Sequence, residues 1–266
     1  MPSEKNLLNS YEFYLYYLFK VPQVMKSTKQ LILYTLLCLA TPNAAAADQT
    51  SNQATDRAIE KITIQLDFIP NIEDGKTTFS VCARCHLPEA WGDVDGTYPQ
   101  LAGQHVNVLI KQLLDIRSGR RQSALMHPFV QQRTIGGYQE LSNVVAYIST
   151  LPMNPGHGKG PWREGSDEYS QGLKLYQQYC SSCHGKNGEG NNELVYPKLQ
   201  GQNFQYLSQQ LKRIKSGVRE VHHAMSAIVQ GLDYEQLEKA ANYASYFAVP
   251  KEDMANSKTW RNPDFN

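Results

Sequence analysis

The sequence predicts an all-α protein made of two tandem copies of one small domain, and three observations carry that prediction. The pentapeptide CARCH at Cys82–His86 returns as CSSCH at Cys180–His184, 98 residues later. The segment YPQLAGQHVNVLIKQLLDIRSGRR from Tyr98 overlies YPKLQGQNFQYLSQQLKRIKSGVR from Tyr196 at the same offset of 98. Between these landmarks apolar residues recur at helical spacing, and the runs stop at glycine or proline. A unit of roughly 80 residues is too long for a solenoid repeat and suits a domain that occurs twice.

Taken in order, the elements begin with a short helix over Lys76 to Val81 that leads into the first motif. Val106 to Arg117 is an amphipathic helix ended by Gly119, and Tyr138 to Thr150 is a second, stopped by Pro152. The stretch NPGHGKGPWREGSD has the glycine, proline and polar content of a linker. The second copy repeats the series: Ser170 to Tyr179 before the motif, Phe204 to Lys215 ended by Gly217, and Tyr234 to Ala248 before Pro250. Asp233 is placed to cap the last of these. The expected division is a leader at 1–47, an extension at 48–74, domain 1 at 75–153, a linker at 154–166, domain 2 at 167–250 and a tail at 251–266.

Two cysteines two residues apart with a histidine directly after form the attachment signal of c-type haem. The thiols add across the porphyrin vinyl groups, and the imidazole takes one axial position on the iron. A redox dithiol, half of a zinc site and coincidence are the competing readings. Coincidence fares poorly, because four of the five cysteines fall into the two motifs. The cofactor expectation is therefore two covalently attached haem c groups, held by Cys82, Cys85 and His86 and by Cys180, Cys183 and His184. Bulk composition fits a globular chain: 266 residues, 41% hydrophobic and a net charge of +1. That balance gives no footprint for nucleic acid. No P-loop, nucleotide-binding glycine pattern or zinc helix is present.

The amino terminus differs from the rest. MKSTKQLILYTLLCLATPNAAAAD runs from two lysines through an apolar stretch, Leu31 to Ala40, into alanines. This is the order of a secretory signal, with translation starting at Met25 and cleavage near Ala47. The apolar run is short for a membrane span, so membrane association would need an uncleaved signal or a membrane-bound partner. Cleavage would remove Cys38, where Leu37 precedes in place of the small residue a lipidated cysteine requires. Residues 48–74 carry six acidic against two basic side chains, a net charge of −4. Export to the periplasm suits haem attachment, which in bacteria occurs outside the cytoplasmic membrane.

His86 and His184 supply the proximal nitrogens, and the sixth ligands must be sought elsewhere. Met126 and Met225 occupy matched repeat positions after their motifs, whereas Met153 and Met254 do not match one another. His127 adjoins Met126 and competes with it at the first iron, although its counterpart is Ser226. His222 and His223 precede Met225 without counterparts near Met126. The choice decides function, since a His/Met iron is closed and of higher potential while an open iron binds small ligands.

Over Gly75 to Pro250 the chain resembles the class I cytochromes c, in particular the two-domain dihaem group that includes cytochrome c4. The resemblance rests on the two CxxCH motifs, the PxLxG segments and the methionine before each terminal helix. It implies two tandem class I cytochrome c domains, each a small helical fold wrapped around a covalent haem. It also implies that a proline carbonyl, here Pro99 and Pro197, accepts a hydrogen bond from the proximal histidine. Departures are LPEAWGDVDGT, with Trp91, where the second half has GKNGEGNNELV, and three extra residues around QRTIGG. Trp91 is read as loop packing, with cover of a haem edge or part of a docking surface as the alternatives. Arg121 and Arg219 match across the repeat and read equally as solvated helix-end charges or as partners of haem propionates.

The leading functional reading is a periplasmic electron carrier working between redox protein partners. The alternatives are the electron-accepting subunit of a periplasmic dehydrogenase or reductase, and a dihaem enzyme with one open iron.

Overall fold

The computed structural model describes residues 69–265. The proposed start at Met25, Cys38, the cleavage site near Ala47 and most of the acidic extension lie outside the described residues. No described helix is long and apolar enough to cross a membrane.

Helix α1 (Ile72–His86) begins at Asn71, whose side chain accepts the Glu73 and Asp74 N–H groups. Glu73 and Asp74 also place negative charge in the first turn, where the helix dipole favours it. The helix extends beyond the expected Lys76–Val81 lead-in at both ends and contains the whole first motif. Helix α2 is Val106–Arg117, α3 is the short Gln132–Ile135 and α4 is Tyr138–Thr150. In the second half α5 (Asp167–Tyr179) is capped by Ser166, which accepts Tyr169 N–H, and a break at Cys180 precedes α6 (Ser181–His184). Helix α7 is Phe204–Lys215, α8 is His223–Gly231 and α9 is Tyr234–Ala244. Apart from isolated bridges, the described residues contain no strand.

The sequence located α2, α4 and α7 to the residue. Gly119 and Gly217 follow α2 and α7 at φ 82° and 74°, the left-handed conformation a helix terminator needs. Asp233 caps α9 by accepting Gln236 N–H at 2.8 Å. That helix ends at Ala244 instead of Ala248, because Ser245 is wholly buried and its hydroxyl accepts Gly160 N–H from the linker.

Each half is organised by one helix crossing: α1 on α4, and α5 on α9. Gly75 and Gly172 sit at these crossings, where a Cβ would overlap the carbonyls of Asn143 and Lys239. Gly75 lies seven residues before Cys82 and Gly172 eight before Cys180. Around the first crossing Phe79, Leu141, Val144, Val145 and Tyr147 are almost fully buried. Each such side chain contributes about 1.5–3 kcal/mol through removal from water. The second half holds two smaller clusters, around Val229 and Leu237 and around Tyr176 and Phe247.

The linker is laid along the second half instead of swinging free. Asn242 accepts Trp162 N–H at 3.0 Å and donates to the Trp162 carbonyl at 2.8 Å, while Gly158 accepts Phe204 N–H at 2.8 Å. The tail returns to the first half. Met153 and Met254 pair their backbones, Phe265 stacks edge-on against Phe79, and Trp260 lies 5.8 Å from Trp91. Asp264 accepts from Tyr147 and pairs with Lys76 at 2.8 Å. Trp91 is buried and donates to the Pro152 carbonyl at 2.8 Å, which makes it a packing residue.

The two halves meet over a polar surface. Asn203 donates to the Asp93 carbonyl at 2.7 Å, and Arg213 to that of Gln122 at 2.9 Å. Asn107 holds Asn192 through two bonds of 3.1 Å. An antiparallel backbone bridge joins Arg121 to Arg219, one residue from each copy of the repeat.

Candidate functional site

The last turn of α1 places Cys82, Cys85 and His86 at i, i+3 and i+4, on one helical face. His86 is 3% exposed, and its Nδ1 donates to the Pro99 carbonyl at 3.1 Å. Its Nε2 is buried with no hydrogen-bond partner. A buried polar atom left bare needs an explanation, and a ligand position supplies one. Burial pushes the ring below the usual imidazole range, outweighing the opposite pull of the Pro99 carbonyl. The imidazole is thus neutral, with a lone pair at Nε2.

In front of this atom lies a cavity of about 410 Å³ whose walls include Cys82, Cys85, His86 and Met126. Volumes of this order accommodate an organic cofactor. Val130, Ile135, Val144, Val145 and Ile148 make its lining apolar. Met126 is half-buried and packs on the main core. His127 does not line the cavity; it is exposed, and Gln131 holds both its ring and its carbonyl.

The second half repeats the proximal geometry. His184 Nδ1 donates to the Pro197 carbonyl at 3.0 Å, and burial again lowers the ring. Met225 lies in the first turn of α8, packed against Ile214, Val229, Leu232 and Leu237. Its counterpart Met126 stands in a turn before α3, so the two matched methionines arrive on different local structures. His222 is exposed and caps α8 by accepting Ala224 N–H. His105 and His157 are bonded to the carbonyls of Glu189 and Ser245, as structural residues.

The cysteine environment favours haem over the competing readings of the motif. All four described cysteines are free, and burial pushes the Cys82 thiol up to about 12 and Cys180 to about 11. A redox dithiol needs a lowered pKa. No group of three or more His, Cys, Asp or Glu among the described residues is arranged to hold a bare metal ion. The thiols, the bare imidazole nitrogen and the apolar cavity fit haem.

Arg121 and Arg219 are neither solvated nor at free helix ends. Arg121 lines the cavity and donates to Gln112 at 2.7 Å and to the Tyr206 hydroxyl at 2.8 Å. Arg219 donates to Gln210 at 2.8 Å and to Gln112 at 3.1 Å, and its Nε is buried without a partner. Burial, reinforced by Arg121, lowers the Arg219 guanidinium to about 10. Desolvation works against ionisation of Tyr206, yet the two guanidiniums together hold its phenol below the usual range. Tyr206, Gln209, Gln210 and Arg213 of the second half complete the wall of the first cavity. Sequence reasoning missed this contribution. The available signal was Tyr206 itself, which interrupts the repeat by standing where the first half has Val108.

One backbone detail separates the two motifs. Leu87, directly after His86, adopts φ 66° and ψ 156°, where the second half places Gly185 at φ 83° and ψ 163°. That region belongs almost entirely to glycine and costs other residues about 1–3 kcal/mol. Leu87 is 44% exposed, so replacing it sacrifices little burial. Leu87→Gly is expected to stabilise the holoprotein by about 1 kcal/mol, measured as a higher urea midpoint with an unchanged slope.

Fold and site together define a dihaem c-type cytochrome, a protein that transfers electrons. Residues 72–152 match the family described as Cytochrome c, and residues 167–243 match that described as Cytochrome C oxidase, cbb3-type, subunit III. Cytochrome c4 of Azotobacter vinelandii is 31% identical over 153 residues, covering 54% of this chain and 72% of the relative. A thiosulfate dehydrogenase electron acceptor of Stutzerimonas stutzeri strain A1501 is 29% identical, over 61% of this chain and 76% of the relative. The crystal structure of reduced cytochrome c4 from Pseudomonas stutzeri superimposes with a TM-score of 0.59 at 26% identity, covering 68% of this chain and 100% of that one. The chain belongs to the cytochrome c4 family.

Proposed function

We propose that the chain is an exported electron carrier in which His86 and Met126 hold one iron and His184 and Met225 the other. The observation that carries this reading is the cavity shared by Met126 and the bare Nε2 of His86. Haem, when bound, supplies a reversible one-electron couple at its iron. The chain's residues do the rest. Cys82 and Cys85, with Cys180 and Cys183, anchor the groups covalently. The Pro99 and Pro197 carbonyls fix each proximal ring and its tautomer. The apolar lining excludes water, and the guanidiniums of Arg121 and Arg219 suit the cofactor's carboxylates. Leu125 and Phe129 are exposed where they border the first cavity, an apolar rim suited to brief docking of a redox partner. The lysine, apolar and alanine order from Met25 supports export to the periplasm.

Optical spectra of the purified protein, oxidised and reduced, with and without carbon monoxide, test the proposal. Two closed His/Met irons give a far-red methionine band and no response to carbon monoxide. A high-spin signal, or carbon monoxide uptake by half the haem, would overturn it in favour of an enzyme with one open iron.

A second reading, the electron-accepting subunit of a dehydrogenase, is favoured by the similarity to thiosulfate dehydrogenase electron acceptors. It differs in partner lifetime. Size-exclusion chromatography of native extracts separates the two: a carrier elutes alone, and a subunit elutes with a stoichiometric catalytic chain.

A further inference from the structure

Gln104 and Gln202 stand at equivalent positions of the repeat, 98 residues apart, and each reaches into the opposite half. Gln202 Oε1 accepts Gln100 N–H at 3.1 Å, while its Nε2 donates to the Gln100 carbonyl at 2.9 Å. Gln104 treats Lys198 in the same way, with both bonds at 2.9 Å. Each Oε1 also accepts the N–H of the next residue, His105 at 3.0 Å and Asn203 at 3.1 Å. Two N–H donors at the oxygen and a carbonyl at the nitrogen leave one satisfying orientation for each amide.

Gln100 and Lys198 directly follow Pro99 and Pro197. The N–H that each glutamine receives therefore belongs to the same peptide unit as the carbonyl that holds a proximal histidine. One relay runs from His86 Nδ1 through the Pro99–Gln100 peptide to Gln202 of the second half. The other runs from His184 Nδ1 through the Pro197–Lys198 peptide to Gln104 of the first.

We propose that Gln202 and Gln104 are positioning residues for the opposite half: each tunes the iron bound by the other domain's histidine. Peptide resonance couples the two ends of the unit. An acceptor on the N–H draws electron density onto the carbonyl oxygen and makes it a better acceptor, as in any polarised hydrogen-bond chain. The histidine Nδ1–H is then held more strongly, and the ring becomes a stronger donor to the metal. A stronger donor favours the ferric state. This inference rests on the reading that His86 and His184 bind the irons.

The test is spectroelectrochemical titration of holoprotein variants, with the haem methyl resonances followed by NMR to assign each potential to its haem. Gln202→Leu is expected to raise the potential of the first haem and leave the second unchanged; Gln104→Leu should do the reverse. Mere loosening of the interface would admit water and lower the potential, the opposite sign. Gln202→Glu, which keeps an accepting oxygen and makes it a stronger one, is expected to lower the first potential and serves if the leucine variant fails to fold. A shift confined to the mutated half, equal shifts in both haems, or no shift would overturn the inference. A wild-type spectrum lacking histidine-ligated low-spin haem would instead overturn the ligand reading beneath it.

Discussion

Met126→Ala is expected to make half of the protein's haem reactive towards carbon monoxide while the other half stays inert. The methionine shares the first cavity with His86, and no other histidine or methionine lines it. Truncation to alanine leaves water or nothing at the sixth position. Loss of the thioether should also lower the potential of that haem, since His/Met ligation holds it high. Met225→Ala should produce the same change in the complementary half. The alternative at the first iron is tested alongside: His127→Ala should leave the spectrum unaltered, because that ring is exposed and engaged with Gln131. Difference spectra of the reduced variants with and without carbon monoxide read all three. Carbon monoxide binding in His127→Ala but not in Met126→Ala would reassign the ligand.

Gly75→Leu is expected to cost the fold more than any surface change. Helix propensity alone predicts a gain, because glycine is about 0.8–1 kcal/mol worse than alanine in a helix and leucine ranks next to alanine. Position 75 reverses that sign. A Cβ there overlaps the Asn143 carbonyl and crowds the Tyr147 side chain, so α1 and α4 must separate. Overpacking of this kind costs about 1–3 kcal/mol, and here it also breaks the surroundings of Phe79 and Tyr147. The expected net loss is about 2 kcal/mol or more, with reduced yield of haem-loaded protein. Gly231→Ala is the control. It lies at the end of α8 with nothing near its missing Cβ, and it should be neutral or slightly stabilising in the same urea titration.

The legible parts of the fold were those written in local chemistry. Helices α2, α4 and α7 follow from apolar spacing and a terminating glycine or proline, and all three occupy the expected residues. The attachment motifs needed only five consecutive residues each. What the sequence concealed depends on contacts between residues far apart. The matched glutamines were visible, but nothing local says that Gln202 meets Gln100, 102 residues away. Arg121 and Arg219 read equally as solvated helix ends or as propionate partners, and the apposition of the halves turned them inward. Helix α9 stops early because a buried serine is claimed by the linker. Tyr206 escaped notice because its role lies in the other domain's cavity.

The carboxy-terminal tail has a consequence for biogenesis. Its last aromatic residue covers Phe79, and Asn262 donates to the carbonyl of Pro88, two residues after the first motif. The domain that leaves the ribosome first is therefore the one finished last. A chain cut short after Pro250 keeps every residue of the second motif yet leaves the earlier core uncovered. Loss of Asn262 to Phe265 would thus expose the first domain's core, and the resulting proteolytic sensitivity would appear in that domain and not in the second.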